Sequence, residues 1–123
     1  MKVISTKSAP AAIGPYSQAI VANGFIYTSG QIPLNPETGA IEGTTIEEQS
    51  EQAIKNLGEI LKAAGTDFSK VVKTTCFLAD IKDFSTFNSV YEKYFVSKPA
   101  RSCFEVSALP KNALVEIEAV ALA

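Results

Sequence analysis

The feature that most constrains the fold is an Asn23-Gly24 dipeptide between two β-rich runs, residues 16–22 and 25–29. Asn and Gly adopt the positive φ angles that a two-residue hairpin turn requires, so the two runs are predicted to pair as antiparallel strands. Residues 2–5 form a third short run before them. The chain is therefore predicted to begin with a small β-meander.

A helical period replaces the β pattern over residues 46–64, where apolar side chains recur at intervals of three and four. Thr45 and Glu48 match a capping box, and Gly65 suits the C-terminal stop. A second helix is predicted after Asp83, whose side chain can cap it. Aromatic residues recur at helical spacing in that segment, namely Phe84, Phe87, Tyr91 and Tyr94.

Three further β-rich segments, residues 71–79, 101–107 and 114–122, complete an order of three strands, helix, strand, helix and two strands. The length of 123 residues suits one domain, 1–123. The order predicts an α+β fold with both helices on one face of the sheet. The last strand is apolar on both sides in places, which favours burial of its second face against another subunit.

Composition excludes several classes of chemistry. The chain has no His and a single Arg, Arg101, so Ser-His or Cys-His nucleophiles and the usual zinc sites are excluded. A net charge of −2 gives no electrostatic footprint for nucleic acid, which is not expected as a partner. No apolar run is long enough to span a bilayer, and residues 1–17 lack the pattern of a signal peptide. A cytoplasmic globular domain without membrane partners is expected.

Arg101 is the first candidate for a functional role because it is unique and opens a predicted strand directly after Pro99-Ala100. A guanidinium there suits bidentate binding of a small carboxylate or phosphate, and a surface or interface salt bridge is the alternative. Cys103 lies two residues further on, hence on the same strand face. Without a His partner it is a poor nucleophile, so a backbone contact or packing is favoured for it, and Cys76 is predicted to be core.

Glu116 and Glu118 lie two apart on the last strand and share a face with apolar neighbours. If both are partly buried, their mutual repulsion raises the pKa of one of them and makes it a usable acid or base. Pairing with a Lys or with Arg101 is the alternative explanation.

Two segments, residues 14–17 and 29–33, bracket the open end of the hairpin and are predicted to be neighbours. Gly30 permits close approach of a ligand to the backbone, and Tyr16 offers a ring and a hydroxyl group. Simple turn formation is the alternative for both segments.

Together, motifs in order along nearly the whole chain resemble the RidA/YjgF family of imine deaminases. They are Gly14-Pro15-Tyr16-Ser17-Gln18-Ala19, Ser29-Gly30-Gln31-Ile32-Pro33, Asn56-Leu57, the stretch from Phe84 to Asn88, Pro99-Ala100-Arg101-Ser102-Cys103, Leu109-Pro110 and Val115-Glu116-Ile117-Glu118-Ala119. The resemblance implies a chorismate-mutase-like α+β domain with a mixed six-stranded sheet and two helices on one face. It also implies a homotrimer with ligand pockets between subunits.

The resemblance further implies hydrolysis of 2-iminopropanoate and 2-iminobutanoate, which arise from enamine products of pyridoxal-phosphate-dependent dehydratases in amino-acid metabolism. The products are a 2-keto acid and ammonia, and the enzyme is expected to need no metal or cofactor. In this resemblance Arg101 is the carboxylate clamp, with the Cys103 backbone beside it, and Glu116 orients the attacking water. The pocket wall is formed by Tyr16, Ser29, Gly30, Phe84 and Asn88.

Two other functions remain open from the sequence. One is a regulatory or chaperone-like protein that binds small carboxylates, such as a 2-imino or 2-keto acid, without turnover. The other is a translation-inhibiting ribonuclease, against which the slight acidity and the absence of His count.

Overall fold

The computed structural model describes all 123 residues. Two α-helices, α1 (Ile46–Ala63) and α2 (Phe84–Tyr94), accompany six strands: β1 (Lys2–Ile4), β2 (Ala19–Ala22), β3 (Phe25–Thr28), β4 (Val71–Leu78), β5 (Ala100–Glu105) and β6 (Val115–Leu122). The strands form one sheet in the order β1-β2-β3-β6-β4-β5, mixed because only the β4–β5 pair is parallel. No helix combines the length and apolar character needed to cross a membrane.

The predicted hairpin is confirmed, with Asn23 at φ 51° and Gly24 at φ 80° in the turn between β2 and β3. The predicted start of β2 was three residues too early. Tyr16 N donates to Gly14 O at 2.9 Å, so this backbone is held in a turn and not in the sheet ladder. The ends of the last three strands differ from the predicted ones by only one or two residues.

Helix α1 has the predicted caps at both ends. Thr45 Oγ1 accepts a hydrogen bond from Glu48 N at 3.1 Å, Glu48 Oε1 accepts one from Thr45 N, and Gly65 follows the helix at φ 84°. Helix α2 does begin after Asp83, but the Asp83 side chain makes no capping hydrogen bond. Asp80 acts instead, accepting from Lys82 N at the start of a short 3-10 turn that leads into the helix.

Both helices pack on one face of the sheet, here called the inner face, and confirm that part of the predicted fold. The alternation of β6 supplies the inner side chains Val115, Ile117, Ala119 and Ala121, all at most 3% exposed. They pack against buried side chains of α1 and α2 in a single apolar cluster. This burial is the main source of stabilisation for a domain of this size.

The opposite face of the sheet, here called the outer face, carries no helix. Its cross-strand neighbours include large apolar side chains, of which Tyr27 is 48%, Phe104 44% and Leu122 43% exposed. Glu116 and Glu118 share this face, as predicted. Several exposed large apolar side chains on one sheet face are typical of a surface that meets another protein.

Candidate active site

Strand pairing positions Arg101 and Cys103. The parallel register of β4 and β5 sets Arg101 beside Thr74 and Cys103 beside Cys76. Thr74 and Cys76 are fully buried on the inner face, and cross-strand partners point to the same side of a sheet. Arg101 and Cys103 therefore face α2, on the strand at the edge of the sheet.

The guanidinium of Arg101 is held by an amide and two aromatic rings. Its Nη1 donates to Asn88 Oδ1 at 2.8 Å, while Cζ lies 4.7 Å from the Tyr91 ring centroid and 5.4 Å from that of Phe84. The structure has one ion pair, Lys82–Asp80, so the chain itself supplies no carboxylate to Arg101. The positive charge and the remaining N–H donors are thus left for an anion from outside the chain.

A cavity of about 390 Å³ opens beside this guanidinium, a volume suited to a small molecule. Arg101, Asn88 and Tyr91 form one part of its wall. The rest is formed by Glu92, Phe95, Val96, Lys98 and Pro99. Of the two α2 residues expected in the pocket wall, Asn88 lines this cavity, whereas Phe84 lies beside Arg101 without lining it.

Cys103 has a chemical character that sequence reasoning missed. The neighbouring Cys76 thiol and the charge of Arg101 lower the pKa of Cys103 to about 7. Interaction with Cys103, together with burial, raises the pKa of Cys76, which is core as predicted. Cys76 and Cys103 are neighbours only because of the register of β4 against β5. The sequence alone, in which Cys103 simply lacks a His partner, does not show this.

Glu116 lies on the outer face beside Phe77, and Glu118 lies beside Thr75. Burial, and to a lesser degree the charge of Glu118, raises the pKa of Glu116 above its ordinary value. No basic side chain pairs with either carboxylate. Glu116 is half-buried but Glu118 is exposed, so the expected condition that both are partly buried is not met. The pKa of Glu116 is raised mainly by its own burial and only secondarily by repulsion from Glu118.

The Glu116 side chain reaches a small cavity of about 140 Å³ at the open end of the hairpin, lined also by Tyr16, Gly30 and Gln31. A Cβ atom on Gly30 would lie 2.8 Å from Glu116 Cδ, so the carboxylate folds directly over the glycine backbone. This volume admits a few water molecules.

The two segments around the open end of the hairpin are neighbours, as predicted. Ser29 Oγ donates to Ser17 O at 2.6 Å, and Ser29 N donates to Gln18 O at 2.9 Å. The Ser29 hydroxyl therefore ties the segments together and does not line the cavity. Gln18, only 4% exposed, anchors the preceding loop by donating to Thr6 O and Pro10 O.

Within one chain, the candidate residues divide into two groups on opposite faces of the sheet. Arg101, with Phe84, Asn88 and Cys103, lies on the inner side at the sheet edge, and Glu116, with Tyr16 and Gly30, lies on the outer side. No residue lines both cavities. The chain alone does not bring the predicted clamp and the predicted water-orienting residue together.

Sequence reasoning also missed Tyr91 as a neighbour of Arg101. Asn88 and Tyr91 are three residues apart on α2 and so share a helix face, which was the available signal. The aromatic period by itself indicates only a packing face.

A mixed six-stranded sheet with two helices on one face and an unpaired guanidinium in an edge cavity defines the class: a small α+β domain with a cationic binding cavity. The family model described as Endoribonuclease L-PSP matches residues 6–123, and the chain belongs to this family.

Several relatives show which members of the family this chain resembles. The 2-iminobutanoate/2-iminopropanoate deaminase of Homo sapiens is 56% identical over 122 residues, which cover 98% of this chain and 89% of that protein. AldR of Lactococcus lactis, whose name describes a regulator, is 57% identical over 98% of this chain and 97% of its own length. The crystal structure of E. coli TdcF with bound serine matches with a TM-score of 0.95 and 40% identity, covering 100% of this chain and 99% of that one. The resemblance seen in the sequence motifs is thereby confirmed.

Proposed function

We propose that this protein is an imine deaminase that hydrolyses small 2-imino acids, 2-iminopropanoate and 2-iminobutanoate, to the 2-keto acid and ammonia. The observation that carries the proposal is the guanidinium of Arg101, held between two aromatic rings with no acidic partner in its own chain. The name of the human relative, 56% identical over nearly the whole chain, supports the same reaction.

Arg101 binds the substrate carboxylate in this proposal. In a 2-imino acid the carboxylate is bonded to the carbon that reacts, so fixing the carboxylate also fixes the electrophile. Asn88 already occupies one donor of the guanidinium, and the other N–H groups remain for a two-point contact. The serine bound to E. coli TdcF is likewise a small molecule with a carboxylate group.

Glu116 accepts a proton from the attacking water. Oxygen adds to the carbon of the protonated imine, and the C=N pair moves to nitrogen to give a carbinolamine. Glu116 then returns its proton to the amino nitrogen, the C–N bond breaks, and ammonia leaves as the C=O bond forms, while the hydroxyl proton passes back to the Glu116 carboxylate and from there to solvent. A carboxylate whose pKa is raised by burial is a stronger base than an ordinary one and suits this transfer.

We further propose that the working unit is a homotrimer with each pocket between two subunits. Arg101 and Glu116 face opposite sides of one sheet, so a second copy has to supply one of them. The apolar outer face, with Tyr27, Phe104 and Leu122 exposed, provides the surface for such contact. One subunit then contributes Arg101, Phe84, Asn88 and Cys103, and its neighbour contributes Glu116, Tyr16 and Gly30, with Ser29 holding the second group in place.

The decisive experiment adds the protein to a pyridoxal-phosphate-dependent dehydratase reaction that contains semicarbazide as an imine trap. We expect less trapped imine and faster release of keto acid and ammonia with the wild-type protein than with the Arg101→Lys variant. Equal trapping with and without the wild-type protein would exclude the proposed function.

A regulator that binds carboxylates without turnover is the second candidate, because the L. lactis relative bears the name of a regulator. It also requires the Arg101 site, so binding alone does not separate it from the enzyme. Release of ammonia by the protein separates the two. The ribonuclease reading has less support, because the net charge is −2 and the sole Arg is enclosed by Asn88 and aromatic rings.

A further inference from the structure

A buried hydrogen bond lies directly beneath Arg101. The hydroxyl groups of Thr74 on β4 and Tyr91 on α2 are 2.7 Å apart, and the residues are 0% and 8% exposed. Neither residue forms an ion pair or a hydrogen bond with a charged side chain. The proposed reaction leaves this pair without a role.

Thr74, Tyr91 and Arg101 form a closed triangle. Thr74 is the cross-strand partner of Arg101, Tyr91 is hydrogen-bonded to Thr74, and the Tyr91 ring lies 4.7 Å from Arg101 Cζ. The three residues lie on three different elements, β4, β5 and α2. Each contact therefore restricts the positions of the side chains in the other two contacts.

The Tyr91 ring is also fixed independently of Arg101. Phe95 stacks on it with centroids 4.1 Å apart and an interplanar angle of 21°. Burial raises the pKa of Tyr91, so the hydroxyl stays protonated at neutral pH and keeps its hydrogen bond with Thr74. The ring is thus held at its hydroxyl end and by stacking.

We propose that Tyr91, anchored by Thr74, is a positioning residue that sets the orientation of the Arg101 guanidinium for its anionic ligand. A carboxylate in the same place would also orient Arg101, but it would occupy the N–H donors and neutralise the charge. An aromatic face attracts the guanidinium and leaves its in-plane donors free. This inference rests on the proposed carboxylate-binding role of Arg101.

Enzyme kinetics of three variants test whether Tyr91 and its Thr74 anchor affect KM. Tyr91→Leu removes the ring and is expected to raise KM about tenfold, in the range of a partly desolvated cation–π contact. Tyr91→Phe keeps the ring and Thr74→Val removes only its anchor, so each is expected to raise KM no more than about threefold. Tyr94→Phe, one turn further along α2 and hydrogen-bonded to Glu51, is the matched control and keeps the wild-type KM.

A merely structural role gives a different pattern from a positioning role. It lowers the melting temperature or the active fraction and leaves KM unchanged, because the molecules that fold bind as before. A wild-type KM for folded Tyr91→Leu would therefore overturn the proposal.

A spectroscopic measurement makes the inference testable without turnover. Arg101 is the only arginine, so its Nε–H group gives one side-chain signal in a proton–nitrogen correlation spectrum. Ring currents from Tyr91 shift this signal, and a fixed guanidinium keeps it sharp. We expect it to move toward the free-arginine position in Tyr91→Leu, to move or broaden less in Thr74→Val, and to stay unchanged in Tyr94→Phe.

The two proposals fail in different ways. A wild-type protein that releases no ammonia contradicts the deaminase function, while the Nε–H signal and its response to added pyruvate still report on positioning. If Tyr91→Leu does not fold, Thr74→Val and Tyr91→Phe decide the matter. A signal identical to wild type in both of these would overturn the role of the Thr74 anchor.

Discussion

Arg101 and Glu116 point to opposite faces of the same sheet. Arg101 is paired with Thr74 on the inner face, and Glu116 is paired with Phe77 on the outer face. Two residues that the proposed chemistry needs at one substrate are therefore separated by the sheet itself.

Replacing Arg101 by Lys keeps the positive charge but loses the planar fork that binds a carboxylate at two points. We expect kcat/KM for 2-iminobutanoate to fall about a hundredfold, the loss of a strong charge-assisted contact. The oligomeric state by size-exclusion chromatography should be unchanged. Lys82→Arg, at the exposed Lys82–Asp80 pair, is the control with wild-type activity, and near wild-type activity of Arg101→Lys would refute the clamp.

A mixture of two inactive variants should recover activity if each pocket is shared between subunits. In a trimer that contains both Arg101→Lys and Glu116→Gln chains, one of the three pockets receives an intact Arg101 and an intact Glu116. Random co-assembly should thus restore about a quarter of wild-type turnover, measured on co-expressed chains. The control mixes the two separately purified variants under conditions that prevent subunit exchange. If verified mixed trimers recover no activity, the pocket is not shared between subunits.

The pH profile should report on Glu116. Because its pKa is raised and the reaction needs the ionised carboxylate, kcat/KM should fall on the acidic side at a higher pH than an ordinary Glu would give. Glu118→Gln removes the neighbouring negative charge, so the pKa of Glu116 falls and the acidic limb moves to lower pH. Part of the shift remains, since burial is the larger cause.

Glu37→Gln, in an exposed loop, is the matched control for this pH profile and should leave the limb in place. The reverse result, with Glu118→Gln abolishing turnover and Glu116→Gln active, would exchange the roles of the two residues.

Gly30→Ala should displace Glu116 without unfolding the domain. The new Cβ would lie 2.8 Å from Glu116 Cδ, and the side chain has to swing away from its cavity. We expect kcat to fall more than about tenfold with little change in melting temperature, because a misplaced base loses proton-transfer efficiency.

Gly39→Ala is the matched contrast. Gly39 has open space around it but a φ of +71°, so alanine there should cost about 1 kcal/mol of stability and leave kcat unchanged. A Gly30→Ala variant with full activity would show that the Glu116 position is not critical.

A charge on the outer face should prevent assembly. Tyr27 is 48% exposed at the centre of that face, and Tyr27→Glu would bury a carboxylate in the proposed interface. Light scattering should then give the mass of a monomer, and deaminase activity should be lost together with the trimer. Ile81→Glu, 45% exposed outside the sheet, should keep both, and a trimeric Tyr27→Glu would place the interface elsewhere.

Much of the local structure was determined by sequence. The Asn23-Gly24 turn, the caps of α1 and the alternation of β6 were predicted correctly because each depends on residues a few positions apart. The prediction of an Asp83 cap was wrong because Asp80 caps a 3-10 turn just before it. Helix α2 continues directly from this turn and so has no free N-terminus for Asp83 to cap.

The sequence by itself also determined the chemistry that is available: one guanidinium, no imidazole, and a pair of carboxylates on one strand. Only the tertiary structure decided how these groups are arranged. The register of β4 against β5 and β6 sets Thr74 by Arg101, Cys76 by Cys103 and Phe77 by Glu116. Register between strands far apart in the chain is fixed by packing of the whole inner face, and a shift of one residue would reverse every side chain. For that reason the sequence motifs could identify Arg101 and Glu116, but only the folded sheet shows that they lie on opposite faces.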